Sequence, residues 1–229
     1  MVYFLFMFAP ILPLIFSSIF SLNMLGLADK PLANVSISLA NRYPDSYINT
    51  IFKDNILLNL AYLQRKVKNN QIDWNEVKKP FEYSFELRPG QAFAFHEDVL
   101  PEFKGSEITT TGAHFSFADG FKTDGYLFGD GVCHLASLLY KAAVLADLQA
   151  IAPTNHDFRE IPEIEREYGV SIFYNPGNYE VNARQNLYIT NDKKSPIIFN
   201  IEYKENALKV WITQRNRFEG LDLYEPGRL

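Results

Sequence analysis

Residues 129–148 read GDGVCHLASLLYKAAVLADL, and this stretch decides the fold. Val132 to Leu148 is dense in Ala and Leu, the best apolar helix formers. It is apolar on most faces, which predicts a central buried helix. Gly129-Asp130-Gly131 turns the chain into that helix and leaves Cys133 in its first turn. Before it, residues 105–131 are rich in Gly, Ser, Thr and Asp, as a long surface loop would be. The Asp-Gly steps in that loop could supply oxygens to calcium, but turn chemistry explains them with less.

Working outward, the period changes on both sides of the helix. Phe81, Tyr83, Phe85 and Leu87 alternate with polar residues and predict a half-buried strand. Arg88-Pro89-Gly90 turns the chain, and Ala92 to Phe95 forms a second short strand. After the helix, strands are expected at Val170 to Tyr174 and Asn186 to Thr190. Ile197 to Tyr203 and Ala207 to Thr213 flank Lys204-Glu205-Asn206 as a terminal hairpin. Upstream, Asp45 can cap a helix that runs to about Val67. Trp74 to Pro80 reads as a polar connection. The order predicts an α+β fold, with the cysteine-opened helix packed on a mostly antiparallel sheet. The expected division is a helical N-terminal extension over 29–80, the α+β domain over 81–214 and a tail over 215–229.

The first charged residue is Asp29. Met1 to Ala28 exceeds the ~18 to 20 apolar residues that cross a hydrocarbon core, so an N-terminal membrane-targeting helix is expected. It is either a membrane anchor or a secretory signal peptide. Gly26-Leu27-Ala28 offers small residues for cleavage, but no Lys or Arg precedes the apolar run. Either way the rest of the chain is expected outside the cytoplasm. The 229 residues carry 22 Lys+Arg against 27 Asp+Glu, a net charge of -5. With no basic excess to neutralise phosphates, nucleic acid is not an expected partner.

Cys133 is the single cysteine, which excludes an internal disulfide and any CxxC zinc site. A thiol at a helix start meets exposed N–H groups and the positive end of the dipole, and its pKa is expected to fall towards ~7. It needs a base. His134 is next to it but points roughly 100 degrees around the helix. His156, after the helix, can fold back beside Cys133 and act as general base. Gly129, Asp130, Gly131, His134 and His114 are candidates for oxyanion or substrate binding. The plainer reading is a structural cysteine with scattered polar histidines. The Phe and Tyr residues around the loop are either core or the lining of a groove for glycan or peptide. No metal-ligand spacing is recognisable, and no cofactor is expected.

Over Leu87 to Thr213 the chain resembles the VanW-like family, named for an accessory component of vancomycin-resistance clusters. Pro89-Gly90-Gln91-Ala92-Phe93-Ala94-Phe95 is similar to the family's PGxxFSF segment. Gly129 to Ala143 is similar to its GGGxCQxSTxLYxAA motif. Pro176-Gly177 and Asn186 to Asn191 resemble its PPGxDATV and DLxFxN segments. His134 replaces the motif's Gln, and the two Asp positions fall near Tyr179 and at Asn186, with Glu180 and Asp157 the nearest substitutes in sequence. The resemblance implies a bacterial cell-envelope protein, often membrane-anchored, with cell-wall peptide or glycan as partner. It leaves two functions open: amide hydrolysis or transfer through Cys133 and His156, or a non-catalytic binding domain.

Overall fold

The computed structural model describes residues 28–67, 71–126 and 129–216. Nearly all of the expected membrane-targeting segment, and most of the tail, lie outside the described residues. Among the described residues no helix is long and apolar enough to cross a membrane.

The element order is β1 (Lys30–Ser38), α1 (Ser46–Leu63), α2 (Trp74–Val77), β2 (Phe81–Leu87), β3 (Ala92–Ala94), β4 (Ile108–Thr110), α3 (Val132–Leu145), β5 (Gln149–Ile151), α4 (Tyr179–Arg184), β6 (Tyr188–Thr190), β7 (Ile197–Lys204) and β8 (Ala207–Gln214). One sheet has the order β1-β8-β7-β2 and is antiparallel throughout. The other has the order β4-β3-β6-β5, with only β3 and β4 parallel. Mixed helices with largely antiparallel sheets make the fold α+β, with α3 packed on β1, β8, β5 and α1.

The alternation read from the sequence is what builds the first sheet. Ile197, Phe199, Ile201 and Tyr203 of β7 are buried on one face, and Leu208, Val210 and Ile212 of β8 join them. Glu205 and Asn206 both take positive φ, 51° and 65°, the two-residue turn whose twist suits a hairpin. Phe85 stacks on Phe199 at 4.9 Å and on Phe93 of β3 at 5.4 Å, so aromatic packing joins the two sheets.

Several elements differ from the sequence reading. Residues 29–80 are not only helical: β1 pairs with β8, and Val35 and Ile37 enter the same core as the rest of the chain. Asp45 caps α1 through bonds from Tyr47 N–H at 2.9 Å and Ile48 N–H at 3.0 Å. That helix is buried on every face from Asp54 to Leu63, making it a second central helix. The connection after it contains α2, capped by Asp73. At its far end α3 stops at Leu145, because Asp147 turns the chain in the left-handed region at φ 55°. Val170 to Tyr174 runs between elements without joining a sheet. Its backbone groups bond to side chains and loops instead, and this shapes the site.

Candidate functional site

The start of α3 is fixed by a polar residue of α1. Asn55 is fully buried, and its amide donates to the carbonyls of Lys122 at 3.0 Å and Asp130 at 2.9 Å. Its oxygen accepts from Lys122 N–H at 2.8 Å. One side chain therefore satisfies three backbone groups and ties both ends of the loop to α1. Gly131 caps α3 at φ 98°, and a Cβ there would lie 2.6 Å from Phe52 O. Glycine is required twice, for the dihedral and for the approach of the two backbones. Gly129 has φ 86°, and a Cβ on it would meet Phe115 Cβ at 2.9 Å.

Cys133 is half-buried and bonded in both directions to one residue. Its Sγ accepts Ile172 N–H at 3.4 Å and donates to Ile172 O at 3.7 Å. One turn on, Ser137 Oγ donates to Cys133 O at 2.7 Å and accepts Val170 N–H at 2.9 Å. Side chains four apart share a helix face, so α3 holds residues 170–172 much as a neighbouring strand would. Burial, with a smaller contribution from the Asp130 charge, pushes the Cys133 thiol up to about 11. The lowered pKa expected at a helix start is thus reversed: desolvation of the thiolate outweighs the dipole. Two of the N–H groups expected to be free there are also engaged. Val132 N–H bonds to Gly129 O at 3.0 Å, and His134 N–H to Gly131 O at 3.0 Å.

The histidines differ in environment. His134 is 4% exposed, packs against the Phe52 ring at 5.1 Å, and its buried Nδ1 has no hydrogen-bond partner among the described residues. Burial first, then the positive charge of Arg42, with further contributions from neighbouring His156 and Arg159, push it down to about 3, so it is neutral. His156 is buried, and its Nδ1 lies 3.0 Å from Arg159 O. A carbonyl only accepts, so Nδ1 carries the proton and Nε2 the lone pair. Its pKa is lowered, chiefly by burial. The His134 and His156 rings meet edge to face at 6.3 Å. No hydrogen bond joins Cys133 Sγ to a histidine among the described residues. His114 is bound through Nε2 to Glu97 and packs against the Tyr174 ring at 4.6 Å, tilted by 35°.

All seven residues singled out in the sequence line one cleft of about 430 Å³: Cys133, His156, Gly129, Asp130, Gly131, His134 and His114. Asp130 is pushed up to about 6, first by burial and then by the charge of Asp124, against the pull of the Asp124 N–H. Neither Asp157 nor Glu180 lines the cleft. Asn186 is engaged elsewhere, donating to His96 O at 3.1 Å and Asp98 O at 3.0 Å. No cluster of three or more His, Cys, Asp or Glu suited to a metal occurs among the described residues.

A second cavity of about 870 Å³ adjoins the first, and His156 and Arg159 line both. Sequence reasoning missed Asn55, Ser137, Ile172 and Arg159. Ser137 carried a signal, being one helical turn from Cys133. Asn55 carried another, as a polar break in the apolar run of α1.

The fold and site define an α+β domain with a cysteine-bearing cleft at the head of a buried helix. The family model described as VanW like protein matches residues 83–213. The chain belongs to the VanW-like family, which is associated with the bacterial cell envelope and vancomycin resistance. The match covers α3 and most of the cleft, while Phe52, which lines it, and Asn55, which ties the preceding loop to α1, lie before the match. No curated protein and no solved structure matches the chain.

Proposed function

We propose that this chain is an exported or membrane-anchored envelope protein, held through residues 1–28, whose Cys133 cleft binds peptide or glycan of the cell wall. The observation that carries this reading is the rim. Tyr126 is 91% exposed and Phe158 78% exposed, and both line the cleft beside Phe173 and Tyr174. Large aromatic surface held in water at a concave site, above a few convergent polar groups, is the composition of a ligand cleft. The thiol supports binding over chemistry in this state, because it is neutral and spent on Ile172. Retention of the full-length chain on insoluble peptidoglycan tests the reading. Tyr126→Ala and Phe158→Ala are expected to weaken retention about five-fold each, on the order of 1 kcal/mol per aromatic contact. Retention no better than that of a control protein overturns it.

A second reading, amide hydrolysis or transfer, is favoured by one observation: His156 Nε2 is the unprotonated nitrogen of a histidine lining the Cys133 cleft. Substrate binding would have to displace the thiol from Ile172. Nε2 would then take the S–H proton as sulfur attacks the carbonyl carbon, and would return it to the leaving amine. Muropeptide profiles of cells carrying Cys133→Ala test this, and a profile identical to wild type rejects it.

A further inference from the structure

The cation at the junction of the two cavities is the feature neither reading uses. Arg159 lines both, and its guanidinium lies over the Tyr43 ring at 4.2 Å. Its carbonyl is fixed by His156 Nδ1. The other bases around the larger cavity have carboxylate partners: Arg42 with Glu163 at 3.3 Å, Arg166 with Asp157 at 3.8 Å. Lys141, behind that wall, takes up Glu165 at 2.5 Å. Among the described residues no carboxylate lies within ion-pair distance of Arg159. Among the described residues, two buried nitrogens of the lining side chains have no hydrogen-bond partner, Nδ1 of His134 in the smaller cleft and Nε of Arg42, a residue 2% exposed, in the larger cavity.

We propose that Arg159 is the ligand-recognising cation of this cleft and that it receives a carboxylate of a bound peptide at the junction, beside His156. A guanidinium held over an aromatic ring is pre-ordered, so little side-chain freedom is lost when its planar fork meets a carboxylate. A carboxylate fits better than a phosphate. One unpaired guanidinium matches one negative charge, and Glu160 and Glu163 on the same walls disfavour a dianion. Asp124 and Asp130 stand in the Cys133 cleft, and Asp130 is held partly protonated near pH 6. The acids thus lie on both sides of Arg159 without neutralising it.

This inference rests on the proposed peptide-binding function, and the experiment separates the two. The full-length chain is titrated calorimetrically with N-acetyl-Ala-Glu-Lys-Ala in three forms: free, amidated at its C-terminus, and with Gln in place of Glu. One of the two neutralised forms is expected to bind about ten-fold more weakly, the loss of one charge-assisted contact, and which one it is identifies the carboxylate. Arg159→Gln is expected to bind all three forms alike, and Arg159→Lys to keep part of the preference. Unchanged melting temperatures confirm that the variants fold. Equal binding of the three forms by wild type, or a preference that survives in Arg159→Gln, overturns the role of Arg159 and leaves the cleft reading standing. Retention on peptidoglycan without binding of any form also overturns it. Displacement of the free peptide by inorganic phosphate through Arg159 reassigns the site to a phosphate group. Failure of both peptide binding and peptidoglycan retention overturns both proposals.

Discussion

Cys133 and Ile172 hold each other in both directions, the Sγ accepting the Ile172 N–H at 3.4 Å and donating to its carbonyl at 3.7 Å. A chain segment that has no strand partner is thereby attached to the central helix through a thiol. The sulfur is part of the backbone accounting of the fold as well as part of the cleft wall.

The thiol is therefore expected to be slow towards iodoacetamide at neutral pH. With its pKa pushed up to about 11, the thiolate fraction at pH 7 is on the order of one in ten thousand. Labelling of the native chain, followed by mass spectrometry from pH 6 to 10, should rise tenfold per pH unit without a plateau. A plateau below pH 8 would show a thiolate stabilised by the protein and would favour catalysis.

Gly131→Ala tests the entry to α3. Alanine at φ 98° costs about 1–3 kcal/mol in backbone strain, and its Cβ meets Phe52 O at 2.6 Å. A further ~1–3 kcal/mol is expected from forced displacement of α1. Urea denaturation should show a loss of at least ~2 kcal/mol, whereas Gly177→Ala, with open space around its Cβ, should lose only the strain contribution.

Asn55→Leu removes a side chain that satisfies three backbone groups. Lys122 O keeps its bond from Gly129 N–H at 3.2 Å, which leaves two buried groups unpaired at about 1–3 kcal/mol each, so a loss of at least ~2 kcal/mol is expected. Hydrogen exchange at Lys122 should quicken in the same variant, since its N–H loses its acceptor.

Asn59 gives the opposite expectation. It is fully buried in α1, and neither atom of its amide has a partner among the described residues. Asn59→Leu exchanges an uncompensated polar group for an apolar one of similar volume. A gain of about 1–2 kcal/mol in denaturant stability is expected.

His134 predicts an acid-sensitive fold. Its folded pKa of about 3 lies below the ordinary value of 6.5, so the unfolded chain takes the proton first. The stability it supports is present above about pH 6.5 and is lost as pH falls towards 3, by at most ~1.4 kcal/mol per pH unit. Asp130 acts in the opposite sense. Raised from 3.8 to about 6, it takes its proton in the folded state first, and stability rises as pH falls between those values. The two offset each other in wild type, so the variant is informative. Between pH 7 and 4.5, His134→Gln should lose about 2 kcal/mol less than wild type by urea midpoint.

Much of the architecture was legible because it is local. The period-2 pattern of Ile197 to Thr213, the Asp45 cap and the Ala/Leu-rich run after Gly131 each state their element within a few residues. The elements that were missed depend on partners far away in sequence. Lys30–Ser38 becomes a strand because β8 offers an edge, and Val170 to Tyr174 is not one because α3 claims its N–H groups first.

The sequence by itself determined the α+β class, the family motif at Gly129 to Ala143 and seven of the residues that line the cleft, since glycine spacing and helix phase are properties of the chain. Only the tertiary structure decided the chemical state of those residues. Desolvation and neighbouring charge act through space to raise Cys133 and lower His134, and the packing gives His156 a carbonyl in place of a carboxylate and, among the described residues, leaves Arg159 without an acid partner.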